Sequence, residues 1–180
     1  MVYLFLADGF EEIEALTVVD MLRRAKIDIH TVSITGKSKV TGSHHITVEA
    51  DQVFGESDYS KADMLVLPGG MPGTNHLAEH KELGQLLKQF AKEGGNLAAI
   101  CAAPSVLGMY GLLNGKKATC FPGFEDKLTG AVVTGNKTEV SDNVITGKGM
   151  GAAIEFSLRI IEKLKDKETA HKVAAAIQYL

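Results

Sequence analysis

One cysteine stands out among the side chains able to do chemistry, because a strand-like apolar run ends at it. Cys101 follows Leu97–Ile100, and two alanines and Pro104 come directly after it. Pro104 suits the first turn of a helix, where its missing N–H is no loss. The pattern predicts a strand, a nucleophile and a helix, as in the hydrolase elbow, although the G-x-S-x-G signature is missing. Because a helix N-terminus favours an anion, a lowered pKa and an activated thiolate are predicted at Cys101.

A plainer interpretation stays open, since a free cysteine is often just a small buried hydrophobic residue. The other cysteine, Cys120, lies in a short apolar run and is interpreted as structural. The two cysteines form neither a CxxC pair nor a His/Cys cluster, so no metal site is expected. In a reducing compartment a disulfide between them is not expected either.

A glycine pair follows a second buried strand. Pro68-Gly69-Gly70 comes directly after the apolar run Met64–Leu67. Glycines at the end of a strand let backbone N–H groups point into a cleft, where they can hold a developing oxyanion. Taken alone, these three residues are more often just a turn.

A third candidate is a carboxyl group near the start of the first predicted helix. Acidic residues in a first turn usually face water and complement the helix dipole, and this interpretation fits Glu11 and Glu12. Glu14 follows two residues after Glu12 in this helix, within reach of the carboxyl ends of the predicted strands. Beside a thiolate it would stay protonated, because two adjacent anions repel each other. It could then donate a hydrogen bond to sulfur or move a proton.

These residues depend on elements that alternate along the chain. Ile13, Leu16, Val19 and Leu22 share one face of the first helix at helical spacing. The predicted strands are Val2–Ala7, Ile29–Ile34, Met64–Leu67, Leu97–Ile100 and Val144–Thr146, with short ones near Ala118 and Val132 and a hairpin or edge strand over His44–Glu49. The predicted helices are Glu11–Ala25, Lys81–Lys92, Pro104–Tyr110, 152–164 and 169–177. Strands separated by helices predict βαβ units and a parallel sheet covered on both faces. Sites in such sheets form at the carboxyl ends of the strands.

The bulk properties indicate one ordinary α/β domain over residues 1–180. The chain is 45% hydrophobic and 23% charged, with a net charge of −3, so no basic field points to nucleic acid. The early apolar run is too short for a membrane span or a signal h-region, and we expect a cytoplasmic protein. Gly147-x-Gly149-x-x-Ala152 nominally fits a dinucleotide fingerprint. It follows the last strand, so we interpret it as close helix–sheet packing.

Together these motifs resemble the ThiJ/PfpI (DJ-one) superfamily. The segments that carry the resemblance are Asp8–Glu14, Leu67–Gly70, Ala98–Pro104 and Gly147–Phe156. The resemblance implies a flavodoxin-like three-layer α/β/α sandwich, a homodimer packed around the first helix and an oxidisable cysteine. It also implies glyoxalase or deglycase activity toward methylglyoxal-type substrates. By residue, Cys101 would be the nucleophile, Glu14 its acid/base partner, and the amides of Gly70 and Ala102 the oxyanion hole, with Gly69 beside them.

The sequence departs from the family pattern where relatives offer a histidine. The position in many relatives that brings a histidine to the sulfur is matched here by Phe121. A Cys–His dyad is therefore not supported, and peptidase activity is not expected. His44 and His45 match a place near the partner subunit's site, and His76 follows the glycine pair. These three are the remaining histidine candidates for the pocket.

Two functions share every one of these residues. In the first, the thiolate attacks a small α-oxoaldehyde and water releases the hydroxy acid, with no metal or organic cofactor. In the second, the protein is a redox sensor or protective protein whose Cys101 is oxidised to sulfinate and stabilised by Glu14. A third label from the resemblance, thiazole biosynthesis, has no supporting residue.

Overall fold

The computed structural model describes all 180 residues and contains eleven strands and six α-helices. The strands are β1 (Val2–Leu6), β2 (Ile29–Ser33), β3 (Lys39–Thr41), β4 (Thr47–Glu49), β5 (Gln52–Val53), β6 (Met64–Leu67), β7 (Asn96–Ile100), β8 (Lys117–Ala118), β9 (Val132–Val133), β10 (Thr138–Ser141) and β11 (Val144–Gly147). The helices are α1 (Glu12–Arg24), α2 (Gly73–Glu79), α3 (Lys81–Lys92), α4 (Pro104–Met109), α5 (Ala153–Leu164) and α6 (Lys167–Ala176).

Seven strands form one sheet in the order β10-β11-β7-β6-β1-β2-β5. Every neighbouring pair is parallel except β10 and β11, which are antiparallel. The apolar strands β1 and β6 are buried at every residue because helices cover both faces of the sheet. On one face the core includes Val18 of α1 and Phe156 and Ile160 of α5. On the other it includes Leu87 of α3 and Val106 of α4. The predicted α/β sandwich is confirmed.

Several elements differ from the predictions, and the short strands β3 and β5 are among those that were not predicted. Helix α2 was not predicted, since its start at Gly73 follows a Pro-Gly turn that obscures helical periodicity. The edge strand β10 was missed because it is short and three of its four residues are polar. On α1, Val19 and Leu22 are buried as the predicted face requires, but Ile13 and Leu16 are 51% and 38% exposed. The core-facing side of α1 is therefore rotated away from those two residues, which form an apolar surface.

The carboxyl ends of β1, β6 and β7 lie at one edge of the sheet, where the turn into α1, the Pro68–Gly70 loop and the Cys101 turn come together. The β3–β4 hairpin lies against this edge. The amide of Gly9 donates to the carbonyl of Thr41 at 2.8 Å, and that of Ser43 to the carbonyl of Phe10 at 2.8 Å. None of the six α-helices combines the length and the apolar character that a membrane-spanning helix needs.

Candidate active site

Cys101 lies in the sharp turn between β7 and α4. Its φ angle is +65°, a left-handed conformation that is disfavoured for a residue with a side chain and is found at sites whose surroundings enforce it. The surroundings here are two backbone hydrogen bonds. The Cys101 amide donates to the carbonyl of Gly147 at 2.9 Å, and its carbonyl accepts from the amide of Phe121 at 2.8 Å. The predicted elbow is therefore present, and it fixes the direction of the thiol.

The Glu14 side chain is directed into the same site from the first turn of α1. The residue is only 1% exposed. Its Oε2 accepts a hydrogen bond from the amide of Gly69 at 2.9 Å. The carboxyl group lies close enough to the Cys101 thiol for each group to shift the pKa of the other, and its Oε1 is buried without a hydrogen-bond partner. Cys101 and Glu14, distant in the sequence, thus form a contact pair.

Burial controls the protonation of this pair. It raises the pKa of Glu14 to about 7, although hydrogen bonds from Cys101 and the Gly69 amide lower it. Burial also raises the pKa of Cys101 to about 12, and the charge of Glu14 adds to that rise. The two groups titrate as a coupled pair, because a charge on one raises the pKa of the other. Glu14 is the more acidic of the two, so the Cys101 thiolate forms by transfer of its proton to the Glu14 carboxylate.

Two backbone amides also face the sulfur. Those of Ala102 and Gly70 act to lower the pKa of Cys101. The prediction of a lowered pKa at Cys101 is nevertheless wrong, because the helix N-terminus was weighed without burial and without the Glu14 charge. The thiolate depends on proton transfer to Glu14 rather than on the position of α4. The amides remain well placed for an oxyanion.

Glycine is required at both positions of the pair that follows β6. A Cβ on Gly69 would lie 2.5 Å from the Cβ of Cys101 and 2.6 Å from Oε2 of Glu14, closer than real Cβ atoms approach. Gly70 has a φ of +92°, and a Cβ there would overlap the backbone of Glu11. Gly69 was predicted only as a pocket residue. In the structure its missing side chain leaves the space in which the Glu14 carboxyl group and the Cys101 thiol come together. This role depends on the pairing of β6 with β7 in the sheet.

Glu12 contradicts its predicted role as a water-facing residue. It is only 4% exposed and holds the tip of the β3–β4 hairpin. Its Oε1 accepts from the amide of His44 at 2.8 Å, and its Oε2 lies 3.0 Å from Nδ1 of the same residue. Burial pushes the pKa of Glu12 upward, but hydrogen bonds from its own amide, His44 and Ile46 lower it to about 2. Glu12 is therefore ionised at neutral pH and anchors the hairpin.

The histidine candidates do not supply the missing partner of the thiol. His44 is exposed, and its ring contacts Glu11, Glu12 and Ser43. His45 lies in the exposed hairpin turn, with a φ of +64°. His76 bonds through Nδ1 to the carbonyl of Asp8 at 2.8 Å and lines a separate groove with His80. Pocket roles for His44 and His76 gain no support from these contacts.

The residues around the elbow complete one wall of the site. Phe121 is 49% exposed, and its ring would lie 3.3 Å from a Cβ on Gly149. Gly147 packs against Ile100 and Phe156, as expected for helix–sheet packing. Cys120 is 3% exposed within the core.

One group of side chains has the composition of a metal site. Glu11, Glu12 and His44 offer ligand atoms that lie within 4.8 Å of one another. Both oxygens of Glu12 already accept hydrogen bonds from the hairpin. Anchoring of the β3–β4 hairpin therefore accounts for the close approach of Glu11, Glu12 and His44.

Comparison with known proteins agrees with this geometry. The family model described as DJ-1/PfpI family matches residues 1–163. Protein dj-1beta of Drosophila melanogaster is 38% identical over 174 residues, covering 96% of this chain and 93% of that protein. The Caenorhabditis elegans protein named glutathione-independent glyoxalase DJR-1.2 is 35% identical, covering 91% of this chain and 87% of that protein. The chain spans only 40% of the length of DJ-1 homolog B from Arabidopsis thaliana, at 36% identity.

Solved structures give the same result. Oxidized DJ-1 from Toxoplasma gondii superposes with a TM-score of 0.94 at 36% identity, covering 98% of this chain and 97% of that one. A C103A mutant of a DJ-1 superfamily protein from Salmonella typhimurium superposes with a TM-score of 0.95 at 31% identity, covering 99% and 98%. The sequence motifs, the sheet order and these matches agree over nearly the whole chain. The chain therefore belongs to the DJ-1/PfpI family.

Proposed function

We propose that this protein is a Cys101-dependent enzyme that converts small 2-oxoaldehydes, methylglyoxal to lactate in particular, without a cofactor. The observation that carries the proposal is the buried pair of Glu14 and Cys101, beside the amides of Gly70 and Ala102. A relative of similar length is named a glutathione-independent glyoxalase. Removal of glycation adducts, the deglycase reaction, would use the same thiolate on a related substrate.

The chemistry follows from the placement of these groups. The Cys101 sulfur attacks the aldehyde carbon and forms a C–S bond, while the aldehyde oxygen takes the negative charge between the amides of Gly70 and Ala102. Glu14 gives its proton to that oxygen, and the resulting carboxylate removes the proton from the former aldehyde carbon. It returns this proton to the carbon of the neighbouring ketone, whose oxygen takes the hydroxyl proton, which gives a thioester of lactate. Water cleaves the thioester, releases lactate and returns the thiol. Every atom of methylglyoxal plus one water is recovered in lactic acid.

Phe121 limits this chemistry to small electrophiles. Amide hydrolysis needs a general acid that protonates a departing amine, and a positioned histidine commonly does this. Here the amide of Phe121 is bonded to the Cys101 carbonyl, and its side chain is an aromatic ring without a titratable group. Aldehyde chemistry expels no amine, so one carboxyl group is sufficient. We expect no cleavage of casein or fluorogenic peptides.

The decisive experiment supplies purified protein with methylglyoxal and measures lactate. We expect turnover by the wild type and by Cys120→Ser, and none by Cys101→Ser. Cys120 is a suitable control because it is a buried cysteine of the same chain outside the pair. Lactate formation by Cys101→Ser equal to that of the wild type would refute the proposal.

The rate of alkylation measures whether the Cys101 thiol is activated, independently of methylglyoxal turnover. The rate of Cys101 modification by iodoacetamide should rise as the pair loses its first proton near pH 7. Cys120, whose pKa burial raises to about 11, should react more slowly throughout. A Cys101 rate no greater than that of Cys120 between pH 6 and 8 would show that the thiol is not activated.

The second candidate function is redox sensing, favoured by the same pair. A sulfinate at Cys101 could accept a hydrogen bond from protonated Glu14. The Toxoplasma gondii relative is described as oxidized. Treatment with at least two equivalents of peroxide, one for each oxygen transferred, should add two oxygen atoms to Cys101 in the wild type and fewer in Glu14→Ala. Sulfinate formation without methylglyoxal turnover would select this function over the first.

We also propose a cytoplasmic homodimer that buries the exposed face of α1. A groove of about 550 Å³ is lined by Ile13, Leu16, Ile46, Ile154 and Ile177. Arg23 and Arg24 are exposed at the end of the same helix and pair with Asp51 and Asp20. Light scattering at micromolar concentration should give twice the monomer mass, and Ile13→Glu should lower it. A monomer mass for the wild type would exclude the dimer.

A further inference from the structure

A second groove, of about 700 Å³, lies at the other end of α1 from Glu14. Four cationic side chains line it, and none of its lining residues is acidic: Arg24, Lys26, Lys165 and Lys172 surround Ala25, Thr169, Val173 and Ala176. The chain as a whole carries a net charge of −3. The groove is therefore positively charged although the chain as a whole is negative. A positively charged groove favours an anionic ligand.

Two of the four cations have no counter-ion. Arg24 pairs with Asp20, and Lys172 pairs with Glu168, each four residues away on the same helix. Lys26 and Lys165 have no carboxylate within ion-pair distance. Two uncompensated positive charges match the charge of a phosphate monoester near neutral pH.

Lys26 occupies a backbone position that favours glycine. Its φ is +54°, directly after α1, and its amide bonds to the carbonyl of Arg23 while that of Ile27 bonds to Leu22. This is the left-handed position that ends many helices, where a side chain is disfavoured. The helix dipole does not account for a lysine here, since Arg23 and Arg24 already place cations in the last turn.

The floor of the groove is apolar. Ala25 and Val173 are 7% and 6% exposed, and Ala176 lies beside them. The volume is in the range of pockets that enclose small organic ligands. We propose that this groove binds a small organic phosphate, with the phosphate held by Lys26 and Lys165 and an apolar or aromatic body placed over Ala25 and Val173.

Titration calorimetry at physiological ionic strength tests this with three probes. AMP has both the phosphate and an aromatic body, inorganic phosphate lacks the body, and adenosine lacks the charge. We expect AMP to bind more tightly than phosphate and adenosine not to bind. Equal affinity for AMP and phosphate would remove the apolar body from the proposal. No saturable heat with AMP up to millimolar concentration would refute the proposal.

Lysine variants locate the site. Lys26→Gln and Lys165→Gln should each weaken AMP binding about tenfold, whereas Lys81→Gln, an exposed lysine on α3, should not. Lys26→Gly should weaken AMP binding and yet raise the melting temperature, because glycine relieves the left-handed backbone. Unchanged affinity in both groove variants would overturn the proposal. So would a short RNA that binds more tightly than AMP and responds to the same variants.

Methylglyoxal turnover and Cys101 alkylation should stay at wild-type values in these variants. The groove lies at the end of α1, whereas the Glu14–Cys101 pair lies at its start. Absence of AMP binding would therefore not argue against the proposed aldehyde chemistry. Absence of methylglyoxal turnover would likewise not argue against phosphate binding in the groove.

Discussion

The first turn of α1 carries two buried carboxyl groups two residues apart, and they behave in opposite ways. Glu12 faces the hairpin, and its pKa is lowered to about 2. Glu14 faces Cys101, and its pKa is raised to about 7. Burial pushes both values upward, since a charge loses its water. The difference lies in the number of hydrogen-bond donors that each side of the helix supplies.

Glu12 receives amide hydrogen bonds from its own residue, His44 and Ile46, and a further bond from the His44 ring, so its charge is fully solvated by protein. Glu14 receives one amide, from Gly69, and shares the thiol of Cys101, itself an acid. The same residue type therefore becomes an anchor on one side and a proton carrier on the other. A few backbone donors decide between stability and chemistry.

Replacing each carboxyl by its amide gives the largest expected contrast. Glu14→Gln removes the proton carrier and should lower methylglyoxal turnover by about 10²- to 10⁴-fold. Glu12→Gln should leave turnover per folded molecule within about threefold, because Glu12 has no contact with the thiol. Lactate assays on both variants, normalised to folded protein, check this. Equal losses would show that both acids serve the site.

The two glycines that pack against these acids provide a matched pair. A Cβ on Gly69 would meet Glu14 and Cys101, and one on Gly42 would meet the Glu12 carboxyl. Gly69→Ala should therefore lower Cys101 alkylation by tenfold or more, whereas Gly42→Ala should destabilise the fold by about 1–3 kcal/mol and spare alkylation. Urea unfolding and iodoacetamide rates separate the outcomes. Alkylation slowed more by Gly42→Ala than by Gly69→Ala would contradict the assignment.

The contributions of Glu12 and Glu14 to the free energy of unfolding should change in opposite directions as the pH rises. Glu12, with its pKa lowered from 4.5 to about 2, stabilises the fold above pH 4.5, and this is lost as pH falls toward 2. Glu14, with its pKa raised from 4.5 to about 7, reduces stability as pH rises from 4.5 through 7. At pH 8 we expect Glu12→Gln to lower the free energy of unfolding, and Glu14→Gln to raise it, by about 1–3 kcal/mol each.

Urea titrations of both variants between pH 3 and 8 measure these changes. The difference between Glu12→Gln and the wild type should shrink as the pH approaches 3. Variants whose free energies of unfolding change in the same direction at pH 8 would show that the surrounding hydrogen-bond donors do not distinguish the two acids.

Replacing His44 should have the smallest effect. Its pKa is raised by the hydrogen bond to Glu12 and by the charges of Glu11 and Glu12, so its cation stabilises the hairpin below pH 6.5 and this contribution is lost as pH rises through the raised value. His44→Gln should lower the urea midpoint at pH 5.5 by less than Glu12→Gln does, and leave it unchanged at pH 8.5. A change in Cys101 alkylation would place His44 in the site after all.

The sequence was sufficient for whatever depends on neighbours along the chain. The apolar runs at Val2 and Met64, and the glycines after Lys92, predicted their elements within one or two residues, because hydrophobic period and turn chemistry are local. The Cys101 elbow was predicted for the same reason, since Pro104 and the small residues before it restrict the turn. The parallel sheet followed from the alternation of strands with helices.

Only the tertiary structure decided what each acid does. Glu12 and Glu14 are both acidic residues of a first turn, and nothing in the sequence marks one as ionised and the other as a proton carrier. That difference depends on the hairpin tip and on Gly69, which reach α1 from 32 and 55 residues away. The pKa of Cys101 was mispredicted for the same reason. Burial and hydrogen-bond donors are properties of the packed molecule, and they outweigh the local helix dipole.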